Sequence, residues 1–246
     1  MTNLKQIIAK TPLNIVFLSS WLEKQGIKPK SIFDHKKYGW LEAIGRGAFI
    51  KSGTKPDVLG GVNAIQYQTT YDLHIGGKFA LDNYHNVRQY LRNNQPLELF
   101  SGERKDIPKW FSNTFVGSYK LKKTSFLPTN IGLEEKEIAG IKLKISSPER
   151  ALLEMLHNVP EQNSSQEAYQ IFELMTVMKP ELLNKLLQVC QSVKVKRLFM
   201  YFASKTSYPW VNKLDKIDLG SGVRIIDKTG KYDKMYNLII NDMEEN

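Results

Sequence analysis

The residues able to carry chemistry in this chain are few and scattered. Its four histidines, His35, His74, His85 and His157, and its one cysteine, Cys190, stand at no metal-ligand spacing from one another. A zinc site needs three or four such ligands, and neither H-E-x-x-H nor C-x-x-C occurs. Cys190 closes an apolar helical pattern with Leu186, Leu187 and Val189, which reads as a buried small hydrophobe. Asp215, Asp218, Arg224, Asp227 and Lys228 are the side chains a magnesium-dependent nuclease would have to cluster. Carboxylates beside strand ends are far more often solvated turn residues. Gly76-Gly77-Lys78 lacks the spacing of a phosphate-cradling loop and reads as a tight strand-to-helix turn. Gly220-Ser221-Gly222 has the wrong spacing for a nucleophile elbow, and no histidine follows it. No catalytic residue, metal or cofactor is expected from these patterns.

The stronger signal is cationic. The 246 residues carry a net charge of +10. Residues 1 to 52 hold nine Lys or Arg against three acids, so that this fifth of the chain accounts for +6. Six of those cations, Lys28, Lys30, Lys36, Lys37, Arg46 and Lys51, fall in two short neighbouring stretches. Cations that neutralise phosphates release counterions, which supplies most sequence-independent affinity for nucleic acid. A second cationic run, Lys194, Lys196 and Arg197, sits on an apolar helical pattern and is either another anion surface or a solvated face.

The elements that must position the first cluster are legible. Leu4 to Lys10 opens a helix, and Phe17 to Gln25 is a second amphipathic run with Ser19 and Ser20 as its expected caps. Gly26 breaks it, and Pro29 starts a third helix that ends at Tyr38-Gly39. Residues 40–44 and 48–51 then flank Gly45-Arg46-Gly47 as a hairpin with a cation at its tip. This is the layout of a winged helix-turn-helix, a device that reads DNA. On the third helix Ile32 and Phe33 are expected to face the core, with Lys30, Ser31, Asp34, His35 and Lys37 outward. Lys30, Ser31, His35 and Lys37 would approach base edges and neighbouring phosphates. Arg46 would enter the adjacent minor groove, where the negative potential favours arginine. Lys28, Lys36 and Lys51 would be phosphate contacts. Trp40, beside Leu41 and Ile44, is expected in the core.

Ser52 to Asp57 is hinge-like, so the expected division is a DNA-binding domain over 1–55 and a larger domain over 56–246. Beyond it, helices are expected over 58–70, 78–85, 148–156, 166–178, 180–190 and 193–204. Strands are expected over 71–75, 97–100, 114–121, 140–145, 222–226 and 235–240, the last two joined around the turn 227–230. Ser147-Pro148-Glu149 is a strong helix start. Strands, helices and strands again make an α+β second domain. The apolar fraction of 41% is that of a globular chain, and no apolar run approaches the length that spans a bilayer. A cytoplasmic protein without a membrane partner is expected.

Several stretches together resemble AbiEi-type antitoxins of type IV (abortive infection) toxin–antitoxin systems. They are Lys10 to Leu13 through Trp21-Leu22, Gly39 to Phe49, Ala64 to Gln68, His74 to Leu81, Ile145 to Glu154, and Gly220 to Ile240. The matching order covers most of the chain and is loosest at Gln89 to Pro96. The resemblance implies a winged helix that binds inverted repeats in double-stranded DNA upstream of its own operon and represses it. It also implies a C-terminal domain that counters a nucleotidyltransferase toxin without a stable complex. Two other readings stand beside it: a plain winged-helix transcription factor with a ligand-sensing second domain, and a metal-dependent nuclease.

Overall fold

The computed structural model describes residues 4–84 and 96–243. His85 and most of the stretch Gln89 to Pro96 lie outside the described residues. The fold is mixed α+β, and the chain divides into two interleaved units. One comprises residues 1–74, 99–123 and 135–144; the other comprises 75–98, 124–134 and 145–246. Strands β4 (His74–Ile75), β5 (Leu97–Ser101), β6 (Tyr119–Lys123), β7 (Leu133–Ile138) and β8 (Ile141–Ser146) form a five-stranded sheet of order β6-β5-β4-β8-β7.

The first unit begins α1 (Leu4–Lys10), β1 (Phe17–Leu18), α2 (Ser19–Lys24), α3 (Pro29–Lys37), β2 (Leu41–Gly45), β3 (Ala48–Lys51) and α4 (Val58–Gln68). This is the element order expected of a winged helix-turn-helix, with one difference. Phe17 and Leu18 are not the start of a helix: they pair antiparallel with Phe49 and Ala48, making the hairpin a three-stranded sheet of order β1-β3-β2. Both side chains are buried on that sheet, a gain that outweighs their place in a helical pattern. The helix therefore starts at Ser19 after an extended Leu18, and neither Ser19 nor Ser20 caps it. The free edge of β1 is closed by one side chain. The Gln68 amide accepts from Leu18 N at 2.8 Å and donates to the Val16 carbonyl at 2.7 Å. Below lies a core of Val16, Leu18, Ala48, Ile50 and Ala64, with Trp21, Ile44 and Trp110 against it. Trp110 belongs to a short helix that the sequence pattern missed, α6 (Lys109–Thr114), just before the strand expected from 114.

The second unit is built on α7 (Pro148–His157), every residue of which from Glu149 to Leu156 is buried. Around it pack α5 (Gly77–Asp82), α8 (Ser165–Glu173), α9 (Pro180–Val189) and α10 (Val193–Ser204). Ser147 caps α7 by accepting from Arg150 N, with Pro148 in the first turn as the sequence required. Cys190 is buried and unbridged, and burial pushes its thiol above the ordinary range. The C-terminal strands differ from expectation. β9 (Arg224–Ile225) runs parallel to β11 (Leu238–Ile240), and the hairpin partner of β11 is β10 (Lys231–Asp233). Asn237, at a positive φ of 51°, makes that tight turn, so 227–230 is a corner rather than the hairpin loop.

Two buried carboxylates organise the centre of this unit. Glu154 accepts from Arg150 Nε at 2.7 Å, from Ser146 Oγ at 2.7 Å and from Gly77 N at 3.2 Å. Glu98 accepts from Lys78 N at 3.0 Å. Arg150 also donates to the carbonyls of Pro128 and Ile131. Arg150→Met leaves the Glu154 charge buried without its cation, which costs about 3–5 kcal/mol. In urea denaturation the midpoint should fall sharply at unchanged slope. A decrease within about 0.5 kcal/mol, the range of ordinary surface substitutions, would deny the pair its central role.

Candidate nucleic-acid interface

α2 ends in a tight reversal: Gly26, at φ 85°, donates to Glu23 O, and Ile27 N donates to Leu22 O. Ile27 is then buried and Lys28 leaves extended, which places Pro29 at the first turn of α3. The far end of α3 closes by the reciprocal bonds of a Schellman motif, with Gly39 N donating to Lys36 O and Trp40 N to His35 O. Gly39 supplies the positive φ of 71° this requires. His35, Lys36 and Lys37 occupy the last turn, where cations oppose the negative end of the helix dipole.

Only Ile32 of α3 is buried. Phe33, expected in the core, is 65% exposed. Adjacent helical residues point about 100° apart, so a nine-residue helix touching the core along one narrow stripe buries one of the pair and not both. Lys28, Lys30, Lys36 and Lys37 are exposed, while Ser31 and His35 are half-buried. All but Lys37 divide between two flanks. On one, Lys28, Lys30, Ser31, Asp34 and His35 border a hollow of about 420 Å³ with Lys5, Tyr38 and Trp40. On the other, Phe33 and Lys36 border a hollow of about 270 Å³ with Ser19, Glu23 and Phe49.

Trp40 is a second correction. It is 50% exposed and lies under the Lys5 ammonium, 5.0 Å from the ring centroid, because the Schellman turn swings it beside His35 and away from the core. His35 Nδ1 lies 2.7 Å from the Ser31 carbonyl and must carry a proton to bond it, while Nε2 is buried without a hydrogen-bond partner among the described residues.

Arg46 is exposed at a two-residue hairpin tip, since Gly45 pairs with Ala48. The tip is held from both sides. Gly47 O accepts from Ser19 N at 2.9 Å, tying it to the start of α2. Thr114 Oγ1 is within hydrogen-bonding reach of Ile44 O at 3.0 Å, and a Cβ on Gly45 would lie 2.8 Å from that of Trp110. Lys51 is half-buried at the opposite end of the hairpin, across from Leu41, so the structure does not bring it together with Arg46.

Other candidates prove to be occupied inside the fold. Arg197 is 1% exposed, and its guanidinium donates to the carbonyls of Leu219, Gly220, Gly222 and Asn237. Lys194 donates to the carbonyls of His157 and Val159. Lys194 and Arg197 are therefore clamps on backbone, which leaves only Lys196 of that run facing outward in part. Asp227 accepts from Ser165 Oγ and Asn241 N, Asp215 from Gln188 and Asp218 from Gly220 N, each in its own corner. Among the described residues no three His, Cys, Asp or Glu side chains gather as a metal site would require. The Gly76-Gly77 turn directs its following amides at Glu154 and Glu98, so its anions are built in.

Sequence reasoning missed the cations of a later segment. Arg104, Lys105, Lys109, Lys120 and Lys123 are exposed and belong to the first unit, although 50 residues or more separate them from the hairpin. With them that unit holds nineteen Lys and Arg against nine Asp and Glu, whereas the second holds sixteen of each. The whole net charge of +10 thus belongs to the unit that contains α3 and the hairpin. Counting charge along the sequence hides this, because the unit is assembled from three separate segments.

Among solved structures, the Rv2827c protein from Mycobacterium tuberculosis matches this chain with a TM-score of 0.62 at 13% identity, over 97% of this chain and 90% of that one. At that identity the likeness speaks for the fold alone. None of the curated proteins matches. No helix among the described residues is long and apolar enough to cross a membrane. The family model of the AbiEi antitoxin N-terminal domain, a transcriptional regulator, matches residues 1–93. That of the transcriptional regulator AbiEi antitoxin of type IV toxin–antitoxin systems matches residues 94–241. Matched over nearly its whole length, the chain belongs to the AbiEi antitoxin family of transcriptional regulators.

Proposed function

We propose that this protein binds double-stranded DNA at inverted repeats upstream of its own operon, represses it, and protects the cell from a nucleotidyltransferase toxin encoded beside it. The DNA-reading elements are those of residues 1–55, with α3 in the major groove and Arg46 at the tip of the wing. One observation carries the reading: α3 exposes Lys30, Lys36 and Lys37 in the unit that holds all of the chain's net charge. A polyanion is the partner such a surface fits, and a narrow helix buried only at Ile32 leaves most of its circumference free to enter a groove. Lys28 and Lys51 are assigned to phosphate, and Ser31 and His35 to the flank nearest Trp40. The protein acts in the cytoplasm, needs no cofactor, and counters the toxin through residues beyond 56 without a lasting complex.

Fluorescence anisotropy on the upstream duplex across a salt series tests the DNA half. Replacing Lys30, Lys36 and Lys37 with Ala should flatten the dependence of log affinity on log salt by about 0.9 for each phosphate no longer neutralised. An unchanged slope would remove α3 from the interface. Arg46→Ala should weaken binding with the circular-dichroism spectrum intact, and equal affinity would remove the wing.

The two halves separate in cells. Supplied from an unrelated promoter, the triple lysine variant should fail to repress an operon reporter yet still rescue growth against the toxin. Failure of both together at normal protein levels would place the antitoxic action on the DNA surface itself.

A further inference from the structure

Phe33 is the one bulky apolar side chain that α3 exposes. Its helical neighbours three and four positions away are Pro29, Lys30, Lys36 and Lys37, so three exposed lysine positions surround that of the ring on the helix surface, Lys30 toward the far flank and Lys36 beside the ring's own hollow. Beside it the shallow hollow shared with Ser19, Glu23 and Phe49 leaves the ring open on its outer side. An apolar protein surface would match the ring and leave three cations facing it. A solvated helix face would match the cations and leave the ring in water. Major-groove DNA matches both, because phosphates line the groove and thymine presents an apolar C5-methyl on its floor.

We propose that Phe33 is a specificity-determining residue, its ring packed against thymine methyl groups while Lys30, Lys36 and Lys37 neutralise the flanking phosphates. The assignment rests on the DNA-binding reading above and adds what is read: A·T pairs within the half-site, through the methyl group rather than a hydrogen-bonding edge. The methyl offers only apolar contact, so the side chain suited to it has a large, rigid apolar face and no polar group to leave unpaired.

The experiment compares two upstream duplexes of identical sequence, one carrying deoxyuridine at every thymidine, against the full-length wild type and Phe33→Ala. Uracil keeps every hydrogen-bonding group of thymine and lacks only the methyl. Wild type should bind the uracil duplex about fourfold more weakly for each methyl the ring covers. Phe33→Ala should bind the thymine duplex more weakly than wild type and should no longer distinguish the two. Because Phe33 lies outside the core, its melting curve should match wild type, and Phe33→Leu should restore part of the discrimination.

Wild type that holds its duplex and ignores the methyl overturns the assignment. So does Phe33→Ala that discriminates as wild type does. Sedimentation velocity covers the remaining occupant: a wild-type dimer that Phe33→Ala converts to monomer would make the ring a bridge between two copies and overturn the proposal. A wild type that prefers its upstream duplex no more than a scrambled one fails the repressor reading itself, an outcome distinct from these three.

Discussion

The ion pair between Arg150 and Glu154 is the constraint on which the second unit depends. Both side chains are almost wholly inaccessible, at 3% and 0% exposure, and charges taken out of water are stable only when every lone pair and proton finds a partner. The surroundings meet that demand in detail. Glu154 gathers a guanidinium, a hydroxyl and a backbone amide, and Arg150 reaches two carbonyls of the loop before β7. Gly132, at φ 72°, brings that loop so close that a Cβ on it would lie 3.1 Å from the Cβ of Arg150. The Ser147-to-Glu154 stretch that looks like a signature is thus the means by which a helix start, a loop and the Gly77 turn are held to one another. Its residues are committed to structure, which explains why so conspicuous a motif carries no reactive group.

Arg197 repeats the principle without an anion. Four carbonyl oxygens take the place of a carboxylate, and burial, with Arg224 nearby, pulls its pKa below the ordinary arginine value. Carbonyl dipoles stabilise a cation because each directs its negative end at the guanidinium, and five N–H groups in a fixed fork suit such a cluster better than an ammonium does. In return, residues 219–222 must present their carbonyls inward, and Gly220 and Gly222 both adopt positive φ there. Glycine at 220 also admits Val193, whose methyl would lie 2.9 Å from a Cβ. The glycines that resemble a nucleophile elbow in sequence are therefore explained by the arginine they enclose.

Much of this was legible along the chain where local rules act alone. Pro29, Gly39, Ser147 and Pro148 mark helix ends because capping depends on a few neighbouring residues, and the α+β composition followed from such punctuation. What escaped the sequence was set by distant partners. Phe17 and Leu18 fit a helical stripe until β3 offers a ladder. Trp40 looks apolar enough for the core until the Schellman turn directs it outward. Lys194 and Arg197 look like surface cations because nothing nearby announces the carbonyls that consume them. For the candidate interface, the types and spacing on α3 were readable, but the exposure of Phe33 and the cations of 104–123 needed the fold.

The two units use charge in opposite ways. In the second, the cations that matter structurally are matched by carboxylates or carbonyls, and the unit is neutral overall. In the first, the lysines of α3 stand exposed near few acids, and like charges there repel, which is a standing cost to stability. A surface of that kind persists when an external anion relieves it. The relief falls off over roughly 8 Å at physiological ionic strength, so the proposed DNA partner would supply it through phosphates in direct contact. On the proposed reading the recognition work falls to a small helix and a two-residue turn, the turn braced from behind by Thr114 and Trp110. A reader held in this way would give up little conformational entropy on binding, and its specificity would then rest on the few side chains of the proposed interface rather than on rearrangement of the domain.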